Sequence, residues 1–294
     1  MALTAEEFLK KVRAIELQSR RLIKQGLAGQ YLSAFRGSGM QFREFRNYVY
    51  GDDVRHISWS VSARSNDPVL KTFEEERERT FMIIVDASAS LRKGAWAQQK
   101  AERLAEAAAT LALSASDAND KVGLIVFTDQ VEKVIKPAQG QTHVLRVIRD
   151  VLGFEPKGKK TNPNPALRQI DKLLKKQSIV FYLSDMEVMP EETLIRRAAA
   201  RHDFVAVAVD NPAEWSIPEV GFLEVQTAES ERPVTLDTMS PTLRRYMAGH
   251  GATRKAMVEQ SYKRMGVDMI WLDTQEDFVS SLRSYFKRRI MRGR

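Results

Sequence analysis

The stretch "FMIIVDASASL" (residues 81–91) runs five apolar residues into an aspartate and then two serines, each spaced by alanine. A short apolar run that ends abruptly in polar residues has the signature of a strand buried on both faces. The side-chain oxygens of Asp86, Ser88 and Ser90 then gather where that strand ends. Two readings compete for them. Asp and Ser are favoured helix N-caps, and a helical pattern follows. Capping needs one such residue, however. Three in alternation can turn three oxygens toward one point, as a hard divalent cation requires.

Working outward, the same kind of run recurs. "KVGLIVF" (121–127), "SIVFYLSD" (178–185), "DFVAVAV" (203–209) and "VDMIWL" (267–272) read as buried strands, and "VEKVI" (131–135) alternates like a short edge strand. Between them lie helical periods: the alanine-dense "GAWAQQKAERLAEAAATLALSAS" (94–116), "THVLRVIRDVL", "PALRQIDKLLKK", "EETLIRRAAARH", the stretch 241–264 and a final helix at 275–289. Apolar strands alternating with helices predict an α/β fold with a doubly wound, mostly parallel sheet covered on both sides. Residues 211–239, with Pro212, Pro218 and Pro233, break the rhythm and read as a β-rich insertion. Residues 1–79 read as an N-terminal extension. It holds an amphipathic helix over 1–26 that ends near Gly26 and Gly29, a glycine pair at Gly37 and Gly39, and a turn at "YGDD". The division is thus 1–79 and 80–294.

Composition bounds the function. With 43% hydrophobic and 29% charged residues, the chain suits a soluble globular protein with a sizeable core. The absence of cysteine excludes disulfides and thiolate metal sites, and fits a reducing compartment. The first residues lack the apolar core of a signal peptide, and no apolar run approaches the ~20 residues of a spanning helix. The expectation is a cytoplasmic protein. Net charge is +8, concentrated at the ends: residues 1–80 carry 14 basic and 11 acidic residues, and residues 275–294 carry 6 and 2. The near-neutral middle argues against an extended nucleic-acid face. The tail "RSYFKRRIMRGR" reads as a solvated helix end whose cations suit the C-terminal dipole; a nucleic acid or an anionic membrane face is the alternative partner for it.

Ligands of doubly wound sheets bind at the carboxyl ends of the strands, beside the point where strand order reverses. "SIVFYLSD" brings Asp185 to such an end. "GKKTNPNPAL" places Thr161 in a polar loop before a helix. The candidate metal-binding set is Asp86, Ser88, Ser90, Thr161 and Asp185.

These pieces, in this order, resemble a von Willebrand factor A domain, and the five residues match its metal-ion-dependent adhesion site. The resemblance implies that the two serines and the threonine coordinate Mg²⁺, or another divalent cation such as Mn²⁺, directly or through water. The aspartates complete the shell, and a carboxylate from a protein partner fills an open position. Where more familiar A domains place glycine after the last aspartate, this chain has Met186. "GSGMQFREFRNYVYGDDVRHISWSVSAR" (37–64) followed by "VLKTFEEERE" (69–78) further resembles the signature of a MoxR-associated bacterial family of unknown function. "RHDFVAVAVDNPAEWSIPEVG" and "MGVDMIWLDTQEDFVSSL" fit it too. The resemblance spans roughly residues 15–290 and implies a non-enzymatic interaction protein whose partner is a MoxR-type AAA+ ATPase or that ATPase's client.

Other chemistries find less support. "GFEPKGKKT" (153–161) opens like a phosphate-binding loop, but Lys160 stands where Ser or Thr should ligate Mg²⁺, and a helical pattern precedes it instead of a strand. His56, His143, His202 and His250 have no metal-ligand spacing, and no nucleophile elbow is present. A metal-dependent phosphoester hydrolase remains the enzymatic alternative, with no convincing general base. In "YGDDVRHISW", Asp52 and Asp53 are expected to pair with Arg55 or Arg64, and Trp59 to be packed, anchoring the N-terminal part onto the A domain.

Overall fold

The computed structural model describes residues 5–35, 40–65, 67–75, 79–92, 96–158, 160–216, 219–225 and 234–292. Gly37, Gly39, Pro218, Pro233 and Lys159 lie outside them.

The apolar runs become a six-stranded sheet. Its strands are β3 (Thr80–Asp86), β4 (Lys121–Phe127), β5 (Val131–Ala138), β6 (Ile179–Ser184), β7 (Asp203–Asp210) and β10 (Asp268–Asp273), in the order β10-β7-β6-β3-β4-β5. All neighbours are parallel except β4 and β5, so β5 is an antiparallel edge strand. Strand order reverses at β3, which puts the switch point beside Asp86.

Alternation along each strand sorts side chains into two cores. Phe81, Ile83 and Val85 face helices α4 (Ala97–Asp117), α5 (Gln141–Leu152) and α9 (Phe278–Met291). Met82 and Ile84 face α6 (Asn164–Leu173), α7 (Glu192–Arg201) and α8 (Pro241–Arg264). The buried alanines of α4, among them Ala107, Ala108 and Ala112, let that long helix lie close on the sheet. Each fully buried large apolar side chain contributes about 1.5–3 kcal/mol.

Residues 5–35 share the first core. The chain does not stop at Gly26, as its pattern suggests. Gly26 adopts φ 95°, which glycine reaches without the penalty of a Cβ, and the helix kinks there between α1 (Ala5–Leu22) and α2 (Ala28–Phe35). Beyond the kink, α2 buries Tyr31 and Phe35 against Phe81, Phe181 and Phe286, with ring centroids 5.8–6.1 Å apart. The Tyr31 hydroxyl donates to Asp120 at 2.8 Å, and Ser19 bonds Thr110 of α4 at 2.9 Å.

The C-terminal helix closes this core, and one of its cations is not solvated. Arg289 is 8% exposed; its guanidinium donates to the Ala34 carbonyl at 2.8 Å, pairs with Asp203 and Asp268, and stacks over Phe35. Arg292 pairs with Asp268 as well.

Residues 40–65 and 67–75 form a β-arm. β1 (Met40–Asn47) and β2 (Val69–Glu75) pair antiparallel, and the short helix α3 (Trp59–Ser65) lies between them in the chain. The "GDD" turn holds ion pairs, but not all those expected. Asp52 takes Arg46 through both guanidinium nitrogens at 2.7 and 2.8 Å and accepts the Val49 N–H. Asp53 pairs with Arg55 at 2.7 Å. Trp59 is 71% exposed, so it does not anchor the arm on the sheet domain. The buried Val69 and Leu70 belong to neither sheet core. A second ribbon, β8 (Phe222–Val225) with β9 (Val234–Asp237), stands between β7 and α8. Among the described residues no helix is long and apolar enough to cross a membrane.

Candidate metal centre

Asp86 is the last residue of β3 and is 3% exposed. One carboxylate oxygen accepts the Ser88 N–H at 2.8 Å, and the other accepts the Ser184 hydroxyl at 2.7 Å. Ser88 and Ser90 hydroxyls lie 3.1 Å apart. None of the three caps α4: that helix begins at Ala97, and its flanking residue Trp96 makes no side-chain cap bond. Ser88 flanks a single 3₁₀ turn, Ala89–Leu91, likewise without one.

Asp185 follows β6, 1% exposed. Its Oδ1 accepts the Glu187 N–H at 3.2 Å, while its buried Oδ2 has no hydrogen-bond donor. The "LSD" turn is tied by Ser184, whose hydroxyl also accepts the Met186 N–H at 3.0 Å. Met186 has φ 58°, the left-handed conformation that glycine adopts freely and that costs another residue roughly 1–2 kcal/mol. Its side chain is buried, with Sδ accepting the Tyr262 hydroxyl at 3.5 Å. The turn geometry that glycine permits is thus reached by methionine, held in place by packing.

Asp86, Ser88 and Ser90 come from one loop and Asp185 from the neighbouring strand end. Thr161 lies in the loop before α6, and among the described residues no hydrogen bond joins it to the other four. That loop is pinned to the same edge of the sheet. The Asn162 N–H donates to the Thr128 carbonyl at 2.9 Å just beyond β4, and Arg92 reaches the Gly158 carbonyl at 2.6 Å.

Charge is dense here. Burial, and then the nearby Asp185 charge, push Asp86 up to about 7, against the opposing bonds from Ser88 and Ser184. Lys100 of α4 is 2% exposed, with its ammonium 2.8 Å from Glu214, 3.7 Å from Asp185 Oδ2 and 3.7 Å from Glu187. Burial alone would lower its pKa; Asp185, Glu214 and Glu187 outweigh this and raise it. Arg254 donates to the Asp185 carbonyl at 2.6 Å and lies over the Trp215 ring. Asp185, Glu187 and Glu214 therefore surround Lys100, with Arg254 beside Asp185 and Glu187, and Asp86 lies next to Asp185.

The donor set fits a hard divalent ion: oxygen only, one buried carboxylate oxygen without a donor, and an excess of negative charge. Among the described residues no group of three or more His, Cys, Asp and Glu side chains is arranged to hold a metal, so an ion held here would need hydroxyl oxygens as well. The residue pattern did not single out Ser184, Lys100, Glu187, Glu214 or Arg254. Lys100 does leave a trace in the sequence. It lies on the stripe of Leu104, Ala107, Ala108 and Leu111, where helical spacing leads one to expect an apolar residue.

The fold is thus a doubly wound, mostly parallel α/β sheet with hydroxyl and carboxylate loops gathered at its switch point. The chain belongs to the family described as protein of unknown function DUF58, whose model matches residues 44–257, from the β-arm into α8. It is 26% identical over 277 residues to the uncharacterized protein Rv1480 of Mycobacterium tuberculosis, covering 92% of this chain and 86% of that one. Looser likenesses are to solved structures. An aerotolerance-related membrane protein from Bacteroides fragilis is 15% identical, with a TM-score of 0.45, over 73% of this chain and 99% of that one. A von Willebrand factor type A protein from Catenulispora acidiphila is 11% identical, with a TM-score of 0.39, over 86% and 51%.

Proposed function

We propose that the chain is a non-enzymatic, metal-dependent protein-recognition module. Ser88, Ser90 and Thr161 hold Mg²⁺, or Mn²⁺ in its place, directly or through water, with Asp86 and Asp185 as the charged acceptors around it. Bound there, the ion supplies positive charge and an open coordination position for a Glu or Asp carboxylate of the partner. Asp86 orients the Ser88 loop through the Ser88 N–H, and Ser184 holds Asp86 in turn. Burial of both aspartates excludes water and strengthens the contact, because charges attract more strongly in a site of low dielectric. The partner we propose is a MoxR-type AAA+ ATPase or that ATPase's client, in the assembly or maturation of protein complexes. The ground for it is the signature at 37–64.

One observation carries the metal reading. Asp185 Oδ2 is buried without a donor beside a second buried carboxylate. An unsatisfied buried acceptor costs about 1–3 kcal/mol, more when charged, and native proteins keep few of them. The hydrolase reading needs a free general base near the ion. Asp86 titrates near neutrality, but both of its oxygens are already engaged. The basic-tail reading loses Arg289 to ion pairs inside the fold.

The test is calorimetric titration of a purified MoxR-type ATPase from the same organism, in Mg²⁺ and in EDTA. We expect affinity to fall at least about tenfold in EDTA and in Asp86→Ala, the ~1.4 kcal/mol of one lost ionic contact. Equal affinity with and without the ion would overturn metal bridging.

A further inference from the structure

We propose that Lys100 is a built-in counter-cation of this site, which competes with the divalent ion for Asp185 and is held by Glu214 when that ion enters. The inference rests on the reading of Asp86 and Asp185 as a divalent-ion site. Its own ground is geometric. Lysine is almost never fully buried unless paired, and Lys100 is 2% exposed. Its three carboxylate neighbours come from different parts of the chain: Asp185 and Glu187 from the loop after β6, and Glu214 from the 3₁₀ turn Pro212–Trp215 after β7.

The ammonium is not centred among them. Only Glu214, at 2.8 Å, is within hydrogen-bond reach; Asp185 Oδ2 and Glu187 are each 3.7 Å away. Lys100 thus lends Asp185 its charge without giving Oδ2 a hydrogen bond, and Oδ2 stays open to another ligand. A divalent ion on Asp185 and an ammonium beside it repel each other. The stem of Lys100 is long enough to let its head settle on Glu214, while its positive charge still opposes the ion. Removing that charge strengthens ion binding. Removing Glu214's charge turns Lys100 toward Asp185 and weakens it. A lysine that merely fills space would show neither effect.

Magnesium and manganese affinities, measured by calorimetry on the full chain, test this, with the rise in melting temperature on adding the ion as a second readout. Lys100→Met should bind Mg²⁺ at least about tenfold more tightly than the parent, within the usual range of site-to-site coupling. Its ion-free form should melt lower, and its gain on adding Mg²⁺ should be larger. Lys100→Arg should stay near the parent. Glu214→Gln should bind Mg²⁺ more weakly, and because Glu214 is part-exposed this variant serves if Lys100→Met fails to fold. Parent-like or weaker binding by Lys100→Met, or unchanged binding by Glu214→Gln, overturns the role of Lys100 and leaves the metal site standing. Binding of Mg²⁺ by Lys100→Met but not by the parent supports Lys100 as the resident cation and overturns metal bridging instead. Failure of the parent and all variants to bind either ion overturns both.

Discussion

At the residue scale, the chemistry of the site turns on the burial of Asp86. An ordinary Asp titrates near 4 in an unfolded chain. Burial, and then Asp185, raise it to about 7 in the fold. Between those values the ion-free folded protein keeps a proton that the unfolded chain has lost. Unfolding then releases a proton, so stability falls as pH rises through about 4 to 7. We expect the melting temperature of EDTA-treated protein to drop between pH 5 and pH 7.5, and Asp86→Asn, which cannot ionise, to flatten that drop. A melting temperature that rises over this window in the parent protein would contradict the assignment. Met186 shows the same dependence on surroundings in its backbone. Alone, the residue disfavours φ 58°; its buried side chain and the Ser184 bond to its N–H hold it there. A residue pattern that looks for glycine at this turn therefore misses a turn that packing has made.

At the element scale, α9 is fastened by a residue whose type suggests solvent. Arg289 joins the Ala34 carbonyl of α2, Asp203 at the start of β7 and Asp268 at the start of β10. Arg289→Ala leaves the half-buried Asp203 without its guanidinium, whose charge opposes the upward push of burial on that carboxyl. Because Asp203 keeps 26% of its side chain exposed, the loss should be that of a charge-assisted hydrogen bond, about 1.5–3 kcal/mol, read by urea denaturation. An effect below about 0.5 kcal/mol, ordinary for a surface position, would show that the pair adds nothing. The strands and helices themselves were legible with few errors. β4 and α8 fall on the residues their patterns predict, and the other sheet elements fall within a few residues. Periodicity reports burial, and burial on both faces is what a parallel sheet imposes. The kink at Gly26 was not legible as a kink. A glycine after a helical period reads equally as an end, and only the apolar face of α2, packed into the first core, decides that the helix resumes.

At the scale of the molecule, the β-arm and the N-terminal helices behave oppositely, although they adjoin in sequence. Helices α1 and α2 and the kink between them put Ile15, Leu27, Tyr31 and Phe35 into the first core. The arm buries Val69 and Leu70 apart from both cores and leaves Tyr50 and Trp59 exposed. Replacing residues 41–74 with a short flexible linker should leave the sheet domain folded, its melting temperature within about 4 °C of the parent, the shift that ~1 kcal/mol brings in a domain of this size. Differential scanning calorimetry reads this directly; loss of the cooperative transition would show that the arm supports the core. By itself the sequence determined the α/β class, the strands and their helices, and the cluster of oxygens after "FMIIV", because each depends on a local period or a local spacing. Only the tertiary structure decided that Ser184 holds Asp86, that Lys100 stands beside Asp185, and that Trp59 faces outward. These depend on which residues far apart in the chain meet and which do not, and no spacing along the sequence encodes which side chains a fold will bring within a few ångströms of one another.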